Sequence, residues 1–181
     1  MGTEIHAFIE YDLGEEIAFT DSGDVRCFNS GELFILADYL LFDRLAGARA
    51  TSMEKEHCEE ILFQPRGLPK HCSDAVVRRF HVTTEARIND SMLEIPVPLV
   101  PVTKQADFLT HAGPAIPYDS DQLFPNPCWH STSWLTLAEV LEVRKVHGEA
   151  NLEFNAIPSL MQFLERGLGP GKTRLVFWFD N

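Results

Sequence analysis

Hydrophobic and polar residues alternate at the start of this chain and give way to an almost unbroken apolar run at its end. From Glu4 to Tyr11 the apolar side chains fall on every second position, which is the period of a β-strand with one apolar face. From Thr173 to Asn181 they are nearly continuous, as in a strand buried on both faces inside a sheet. We therefore predict that both ends of the chain are strands of one sheet.

A helical spacing of apolar residues marks the region before residue 50. Residues 31–50 are predicted to be mostly helix, with Asp38 as the N-cap of a helix from Tyr39 to Ala46 and Gly47 as its end. This stretch is apolar nearly all round, so the helix is expected to be central and buried. A second, short helix is expected over residues 73–80.

Two further helices are predicted in the second half of the chain. The helix from Leu137 to His147 begins with a capping box, in which the side chains of Thr136 and Glu139 each accept a hydrogen bond from the other residue's backbone N–H. The last helix is predicted to open at Pro158, because proline suits a first helical turn, and to close at Gly167.

Prolines are concentrated in one segment. Residues 95–127 hold seven of the eleven prolines. Because proline fixes φ and lacks a backbone N–H, we predict a Pro-rich irregular excursion at 95–127 that docks on the rest of the chain.

The 181 residues are otherwise expected to form a single α+β domain over 1–181. Its mixed or antiparallel sheet contains both terminal strands and is packed with three to four helices.

The charge and the composition exclude some classes of partner. Twenty-seven acidic and fifteen basic residues give a net charge of −12, which repels the phosphates of nucleic acids and acidic membranes. No apolar run approaches the roughly 20 residues of a membrane span, and no secretory signal is recognisable at the start. We expect a cytoplasmic protein without nucleic-acid or membrane partners.

Its four cysteines form no Cys-x-x-Cys pair and are expected to be free thiols. The oligomeric state is left open.

The polar side of the first strand is one candidate site. Glu4, His6 and Glu10 alternate with the apolar residues, so they share one face of that strand. A carboxylate beside a histidine orients the ring, which suits a general base or a metal ligand. The alternative is a solvent-facing strand whose polar residues have no chemical role.

A second candidate site precedes the helix from Leu137 to His147. His130, Ser131, Ser133 and Trp134 lie just before its N-terminus, where unpaired backbone N–H groups favour a bound anion. Aromatic rings in this run, among them Trp134, could stack on such a ligand. In the alternative interpretation the serines are turn residues and the histidine is a hydrogen-bonded structural residue.

Two arginines complete the candidate set. Arg66 is held between Pro65 and Gly67, which gives a fixed backbone and a free side chain that suit an anion clamp. Arg174 lies on the same side of the last strand as Trp178 by parity, and it is a further candidate ligand. The commoner role of a residue like Arg66 is to keep the surface hydrated.

Metal and cofactor binding are only weakly indicated. The cofactor is unknown, and the one group considered is a divalent metal ion held by Glu4, His6 and His130 with a position open for water. The cysteine and histidine spacings do not match a closed zinc site. The glycine-rich phosphate-binding loops Gly-x-x-x-x-Gly-Lys-Ser/Thr and Gly-x-Gly-x-x-Gly are absent from the sequence.

Five short motifs occur in order along the chain. They are Met1-Gly2-x-x-Ile5-His6, the segment from Asp38 to Arg49, Arg66-Gly67-Leu68-Pro69, His130-Ser131-x-Ser133-Trp134-Leu135-Thr136, and Phe179-Asp180-Asn181. Together they resemble a family of phage and prophage-encoded proteins of unknown function that begin Met-Gly-Cys-Asp-Ile-His and end Phe-Asp-Asn. The chain departs from that pattern with Thr3 and Glu4 in place of Cys-Asp. The resemblance implies a phage protein in the host cell cytoplasm and no particular chemistry.

Three functions from different classes fit these residues. The first is binding of a small anionic ligand, phosphorylated or nucleotide-like, in a pocket near His6 and His130. The second is a hydrolase that uses the same two histidines as catalytic residues, with or without a divalent metal. The third is an acidic accessory protein that inhibits a host protein through its surface. The first two require that the two histidines meet in a common cavity.

Overall fold

A computed structural model describes residues 3–15, 24–48, 61–82, 106–110, 113–118, 124–125, 129–148 and 150–180. The strands are β1 (Ile5–Asp12), β2 (Val25–Cys27), β3 (His81–Val82), β4 (Ala106–Thr110), β5 (Gly113–Tyr118), β6 (Phe124–Pro125), β7 (His130–Thr136) and β8 (Thr173–Phe179). The helices are α1 (Tyr39–Ala46), α2 (Asp74–Phe80), α3 (Leu137–His147) and α4 (Leu152–Leu168). The chain divides into two units, one formed by residues 1–73 and 130–181 and the other by residues 74–129.

The first unit is built on a four-stranded antiparallel sheet with the order β2-β1-β8-β7. The strands from the two ends of the chain, β1 and β8, lie side by side over seven residue pairs from Ile5 and Phe179 to Tyr11 and Thr173. Every residue of β8 is buried, as expected for a strand that is interior to a sheet. The predicted α+β class, with both terminal strands in one antiparallel sheet and four α-helices among the described residues, is confirmed.

One face of this sheet forms the hydrophobic core together with α1, α3 and α4. Residues at odd positions of β1 and β8 share this face because their register pairs odd with odd. The core residues include Ile5, Ala7, Ile9, Leu41, Phe42, Leu45, Leu135, Val140, Val143, Phe154, Ile157, Met161, Leu175, Phe177 and Phe179. Full burial of each large apolar side chain contributes roughly 1.5–3 kcal/mol, so this cluster supplies the main stabilisation of the unit.

The opposite face of the sheet is also buried. Phe8 and Trp178 lie there with stacked rings whose centroids are 5.4 Å apart, and the His6 ring also stacks with Trp178 at 5.8 Å. His6 is 4% exposed and Glu10 is fully buried. The alternative of a solvent-facing polar side is therefore wrong for His6 and Glu10, which are enclosed and paired inside the protein, whereas Glu4 is exposed.

The predicted helix caps of α1 and α3 are confirmed. Asp38 accepts a hydrogen bond from the backbone N–H of Leu41, and Gly47 ends α1 in the left-handed conformation with φ 62°. Both bonds of the capping box form at the start of α3. Residues 31–38, which were predicted to be mostly helical, instead precede α1 without helical structure.

Within the described part of the chain, no helix has the length and apolar character needed to cross a membrane.

A histidine on α3 ties this helix to α1. His147 Nε2 lies 3.0 Å from Asp38 Oδ2, and its Nδ1 lies 3.0 Å from a guanidinium nitrogen of Arg44. Both of these partners belong to α1 or its cap. These partners are more than a hundred positions apart, so no local pattern predicts the contact, which fixes the end of α3 against α1.

Helix α4 is longer than predicted. It begins after Asn151, whose side chain accepts a hydrogen bond from the N–H of Phe154, and it ends at Leu168 before Gly169. Pro158 therefore lies inside the helix, and the prediction that it opens the helix is wrong. A proline there removes one hydrogen bond. The buried residues Phe154 and Met161, which lie before and after Pro158, hold the helix against the core.

The second unit contains short paired strands within the Pro-rich segment. Strands β4 and β5 form an antiparallel pair, and β6 pairs with β3, which follows α2. The irregular excursion predicted at 95–127 is thus strand over these described parts, and its remaining residues lie outside the described ranges. Two-stranded sheets consist of edge strands, which tolerate proline because an edge residue can lack a ladder donor. The prediction of one domain over 1–181 stays a prediction.

The central strand should dominate stability. We expect Phe177→Ala to lower the free energy of unfolding by about 3–5 kcal/mol, because it leaves a cavity between the sheet and the helices. The matched control is Phe163→Ala on α4, where the side chain is 66% exposed, and its effect should stay within about 0.5 kcal/mol. Urea unfolding of both variants measures the difference, and equal effects would contradict this account of the core.

Candidate functional site

His6 is held between two carboxylates. Its Nδ1 is in hydrogen-bond contact with Glu32, and its Nε2 lies 3.4 Å from an oxygen of Asp180. Asp180 is itself fixed to Glu4, since it accepts from the Glu4 backbone N–H at 3.0 Å and donates its own N–H to the Glu4 carbonyl at 3.2 Å. Sequence reasoning missed Glu32, because it lies in a loop outside any periodic pattern.

His130 lies at the start of β7 on the helix-facing side of the sheet. Its ring stacks on Phe179 with the centroids 5.9 Å apart, and its Nδ1 is 3.1 Å from the hydroxyl of Ser131. Its Nε2 is buried and has no hydrogen-bond partner in the part of the chain that the structure describes. Ser131 has φ 50°, an uncommon conformation for a residue with a side chain, next to an irregularity in the pairing of β7 with β8.

The structure does not bring the two histidines together. His6 is opposite Trp178 and His130 is opposite Phe179 in the strand register. Trp178 and Phe179 are consecutive residues of β8, so their side chains, and those of their cross-strand partners, point to opposite faces of the sheet. The expected common cavity of His6 and His130 is therefore not formed.

The separation of the two histidines also argues against the metal site proposed from the sequence. Glu4, His6 and His130 cannot converge on one ion when the two histidines lie on different faces. Among the described residues, no group of three or more histidine, cysteine, aspartate or glutamate side chains is arranged to hold a metal ion. Of the proposed ligands, His6 instead contacts Glu32 and Asp180, and His130 stacks on Phe179.

Glu10 and Arg174 form a buried ion pair across β1 and β8. Glu10 accepts hydrogen bonds from the backbone N–H and the hydroxyl of Ser73, at 2.6 and 2.7 Å, and from Arg174 Nε at 2.8 Å. Arg174 also donates to the carbonyl of His71. Both residues were candidate ligand contacts, but their polar atoms are engaged inside the protein and fasten residues 71–73 to the sheet.

Two thiols lie close to this carboxylate. Cys27 is directly opposite Glu10 in the pairing of β1 with β2, and Cys72 precedes Ser73. Burial, reinforced by the negative charge of Glu10, raises the pKa of Cys27 to about 11 and that of Cys72 to about 12. Both thiols are free, as predicted, and they are protonated at neutral pH and therefore poor nucleophiles. Cys58 and Cys128 lie outside the described residues.

Arg66 does not present a free guanidinium. It forms a two-pronged pair with Glu139, with one N–O distance of 3.0 Å, and its guanidinium carbon lies 4.8 Å from the ring centre of Trp134. Burial acts to raise the pKa of Glu139, but the hydrogen bonds from Arg66 and Thr136 outweigh it and the pKa is lowered. The predicted anion clamp is thus occupied by a carboxylate of the same chain.

The N-terminus of α3 is closed in a similar way. The carboxylate of Glu139 accepts from the backbone N–H of Thr136 at 2.8 Å, so a side chain of the helix takes the place expected for an anion. The run from His130 to Ser133 is part of β7 and not a loop. Ser133 is fully buried and accepts a hydrogen bond from the backbone N–H of Arg66 at 3.2 Å. The anion site predicted there is not open.

A groove lies beside the N-terminal half of β1. Its volume is about 410 Å³, and it is lined by Glu4, Ile5, Glu32, Leu33, Phe34, Ile35, Leu36 and Ala37. Two carboxylates therefore share it with apolar side chains, two of which are strongly exposed: Phe34 at 76% and Leu36 at 58%. We call this feature the acidic groove. It can combine apolar contact with attraction for a positive charge.

The loop that forms this groove is anchored at both ends. The backbone N–H of Leu33 donates to the carbonyl of Ala7 at 2.7 Å, and the side chain of Asn151 donates to the carbonyl of Leu36 at 3.1 Å. Because residues 31–50 were predicted to be mostly helix, the groove was missed. The available signal was four consecutive apolar residues, 33–36, ahead of the N-cap Asp38, which is too long an apolar run for an ordinary exposed loop.

No protein-family model, curated protein or solved structure matches the chain. Fold and site define an α+β protein with a buried four-stranded antiparallel sheet and an acidic groove beside β1. The resemblance to phage and prophage-encoded proteins stays a prediction. Met1, Gly2 and Asn181, at the ends of its motifs, lie outside the described residues.

Removing one partner of the buried ion pair should be costly. Arg174→Met leaves the Glu10 carboxylate buried beside no cation, and we expect the free energy of unfolding to fall by about 3–5 kcal/mol. The double variant Glu10→Leu/Arg174→Met, which removes both charges, should recover most of that loss. Denaturant unfolding of the single and double variants measures this, and a double variant no better than the single one would contradict it.

The pair of Arg66 and Glu139 should stabilise the fold only above acidic pH. The pKa of Glu139 is lower in the folded chain than its ordinary value, so the stabilisation is present at neutral pH and is lost as the pH falls through the folded pKa. A double-mutant cycle of Arg66→Met and Glu139→Gln should give a coupling of about 0.5–1 kcal/mol at neutral pH. The coupling should approach zero once the pH falls below the lowered pKa of Glu139, and a constant coupling would contradict the assignment.

Proposed function

We propose that this chain is a binding protein that acts by docking another protein on the acidic groove, and not a catalyst. Of the three functions considered from the sequence, this corresponds to the acidic accessory protein that works through its surface. The observation that carries the proposal is that two strongly exposed apolar side chains, Phe34 and Leu36, share a concave surface with Glu4 and Glu32. Grouped apolar exposure beside charged residues is typical of protein contact sites.

The charge of the chain supports a basic partner. A net charge of −12 attracts positively charged proteins and speeds their encounter, and the carboxylates of the groove put negative charge where contact occurs. The partner segment we propose carries apolar residues for Phe34 and Leu36 and a lysine or arginine for the carboxylates. Such a combination gives affinity through apolar burial and specificity through charge.

A small anionic ligand near His6 receives less support. An anion in the groove would face Glu4 and Glu32, which line it, and the repulsion between like charges is unfavourable. The two arginines proposed as anion ligands, Arg66 and Arg174, are each paired with a carboxylate of the chain. An anion would have to displace those internal partners.

A hydrolase also receives less support. His6 and His130 lie on opposite faces of the sheet, so they cannot act on the same substrate atom. The thiols of Cys27 and Cys72 are protonated at neutral pH because their pKa values are raised. His130 does lie 3.1 Å from the Ser131 hydroxyl, but it is not among the residues that line the acidic groove.

The phage resemblance suggests which partner to look for. If the chain is phage-encoded, the partner we propose is a host protein that the chain inhibits by occupying one of its basic, apolar segments. This proposal specifies the kind of partner and leaves the proposed chemistry of the groove unchanged.

Selection of short random peptides displayed on yeast against the whole chain tests the proposed function. We expect the enriched peptides to combine basic and apolar residues, and Phe34→Ser to weaken their binding roughly tenfold or more. Glu4→Gln should weaken binding and reduce its dependence on salt.

The controls use residues of the same type elsewhere. Phe163→Ser removes an exposed phenylalanine of α4, about three turns along the helix from the Asn151 contact with Leu36. Glu142→Gln removes an exposed carboxylate of α3. Neither should affect peptide binding. No enriched peptide, or binding that is insensitive to Phe34→Ser, would overturn the proposed function.

A further inference from the structure

Most of the exposed large apolar side chains lie in one region of the first unit. Among the described residues there are eight such side chains, and six of them belong to the segments 34–40 and 146–152. They are Phe34, Leu36, Tyr39, Leu40, Val146 and Leu152. The clustering marks a surface that is larger than the acidic groove itself.

The two segments that carry these side chains are in direct contact. The side chain of Asn151, next to Leu152, donates to the carbonyl of Leu36 at 3.1 Å. His147 Nε2 lies 3.0 Å from an oxygen of Asp38, which precedes Tyr39. The apolar surface that begins in the acidic groove therefore continues onto the first residues of α1 and α4. We call Tyr39, Leu40 and Leu152 the apolar extension of the groove.

The groove offers side chains to a partner and no open strand edge. Ile5 and Ala7 of β1 are buried, and Ala7 is already bridged to Leu33. Ile35 packs in the core cluster, and the carbonyl of Leu36 is occupied by its hydrogen bond. A partner segment that lies in the groove therefore has no neighbouring strand, among the described residues, with which to pair its backbone.

This lack of a pairing edge favours a partner that satisfies its own backbone. An extended segment would cover its N–H and C=O groups with apolar side chains and leave them unbonded, which is costly. An α-helix forms those hydrogen bonds internally and can bury one apolar face. Apolar side chains at positions i, i+3 or i+4, and i+7 are the usual anchors of a helix in a groove.

We infer that the partner segment binds as an amphipathic α-helix whose apolar stripe runs from the acidic groove onto the apolar extension. This inference rests on the proposed function and specifies the form of the partner. Anchors at the groove contact Phe34 and Leu36, and those further along the helix contact Leu40 and Leu152. A lysine or arginine beside the stripe contacts the carboxylates of the groove.

The size of the surface fits two to three turns of helix. Phe34 and Leu40 are six residues apart, and six residues of chain span at most about 20 Å. A helix rises about 1.5 Å per residue, so anchors at i and i+7 are about 10 Å apart. A helix of that length can therefore contact both ends of the surface.

A second copy of this chain is a poor occupant. Each copy carries a net charge of −12, and two copies that met through this surface would bring acidic groups of their grooves towards one another. Like charges that face each other across an interface weaken it. A basic helix from another protein meets no such repulsion.

Substitutions in the apolar extension test the inference in the whole chain, with the enriched peptides as probes. We expect Leu40→Ser and Leu152→Ser each to weaken peptide binding roughly fivefold or more, although neither residue lines the groove. The matched control is Leu13→Ser, because Leu13 is 49% exposed against 45% for Leu40. Leu13 follows the far end of β1, about 26 Å along the strand from Ile5, and its substitution should leave binding unchanged. A loss at Phe34→Ser with none at Leu40 or Leu152 would overturn the inference and leave the proposed function intact.

Proline substitutions in an enriched peptide test its helical form. A proline in the middle of the peptide should weaken binding roughly hundredfold, because it removes a helical hydrogen bond and clashes with the preceding turn. The matched control is a proline at the first helical position, which should have little effect. Glycine in place of a solvent-facing alanine should weaken binding about fivefold.

Other outcomes separate the inference from the proposed function. Tolerance of proline at every interior position, or an extended bound peptide in NMR spectra, would overturn the helix and leave the proposed function intact. Failure to enrich any peptide would overturn both. Concentration-dependent dimers in sedimentation that Leu40→Ser abolishes would identify a second copy as the occupant and overturn the inference.

Discussion

The antiparallel pairing of β1 with β8 is the interaction on which the rest of the first unit depends. It joins the two ends of a 181-residue chain, and it places β8 between β1 and β7 with every residue buried. The entropic cost of closing a loop rises only slowly with the length of the loop. The apolar area buried on both faces of the central strand offsets that cost. The helices α1, α3 and α4 then have an apolar surface to pack on.

The burial of both faces of the sheet explains why polar residues that were candidates for a functional site are instead paired with other residues of the chain. A carboxylate or guanidinium that is taken out of water must be paired, and the nearest partners belong to the same chain. Glu10 therefore holds Arg174 and Ser73, and His6 lies between Glu32 and Asp180. Residue types that suit catalysis are here used for internal pairing.

The acidic groove arises where this pairing stops. In the loop of residues 32–37, Leu33 and Ile35 pack on the hydrophobic core, whereas Phe34 and Leu36 do not. Phe34 and Leu36 consequently remain exposed beside Glu4 and Glu32.

The sequence by itself determined the elements whose signals are local. The α+β class, the strands at both ends, and the caps at Asp38 and Thr136 follow from side-chain periods and from hydrogen bonds within four residues. Only the tertiary structure decided that Pro158 lies inside a helix, that His6 and His130 occupy opposite faces, and that residues 33–36 form a groove and not a helix. These outcomes depend on strand register and on contacts between residues far apart in the chain, and neither leaves a periodic trace in the sequence.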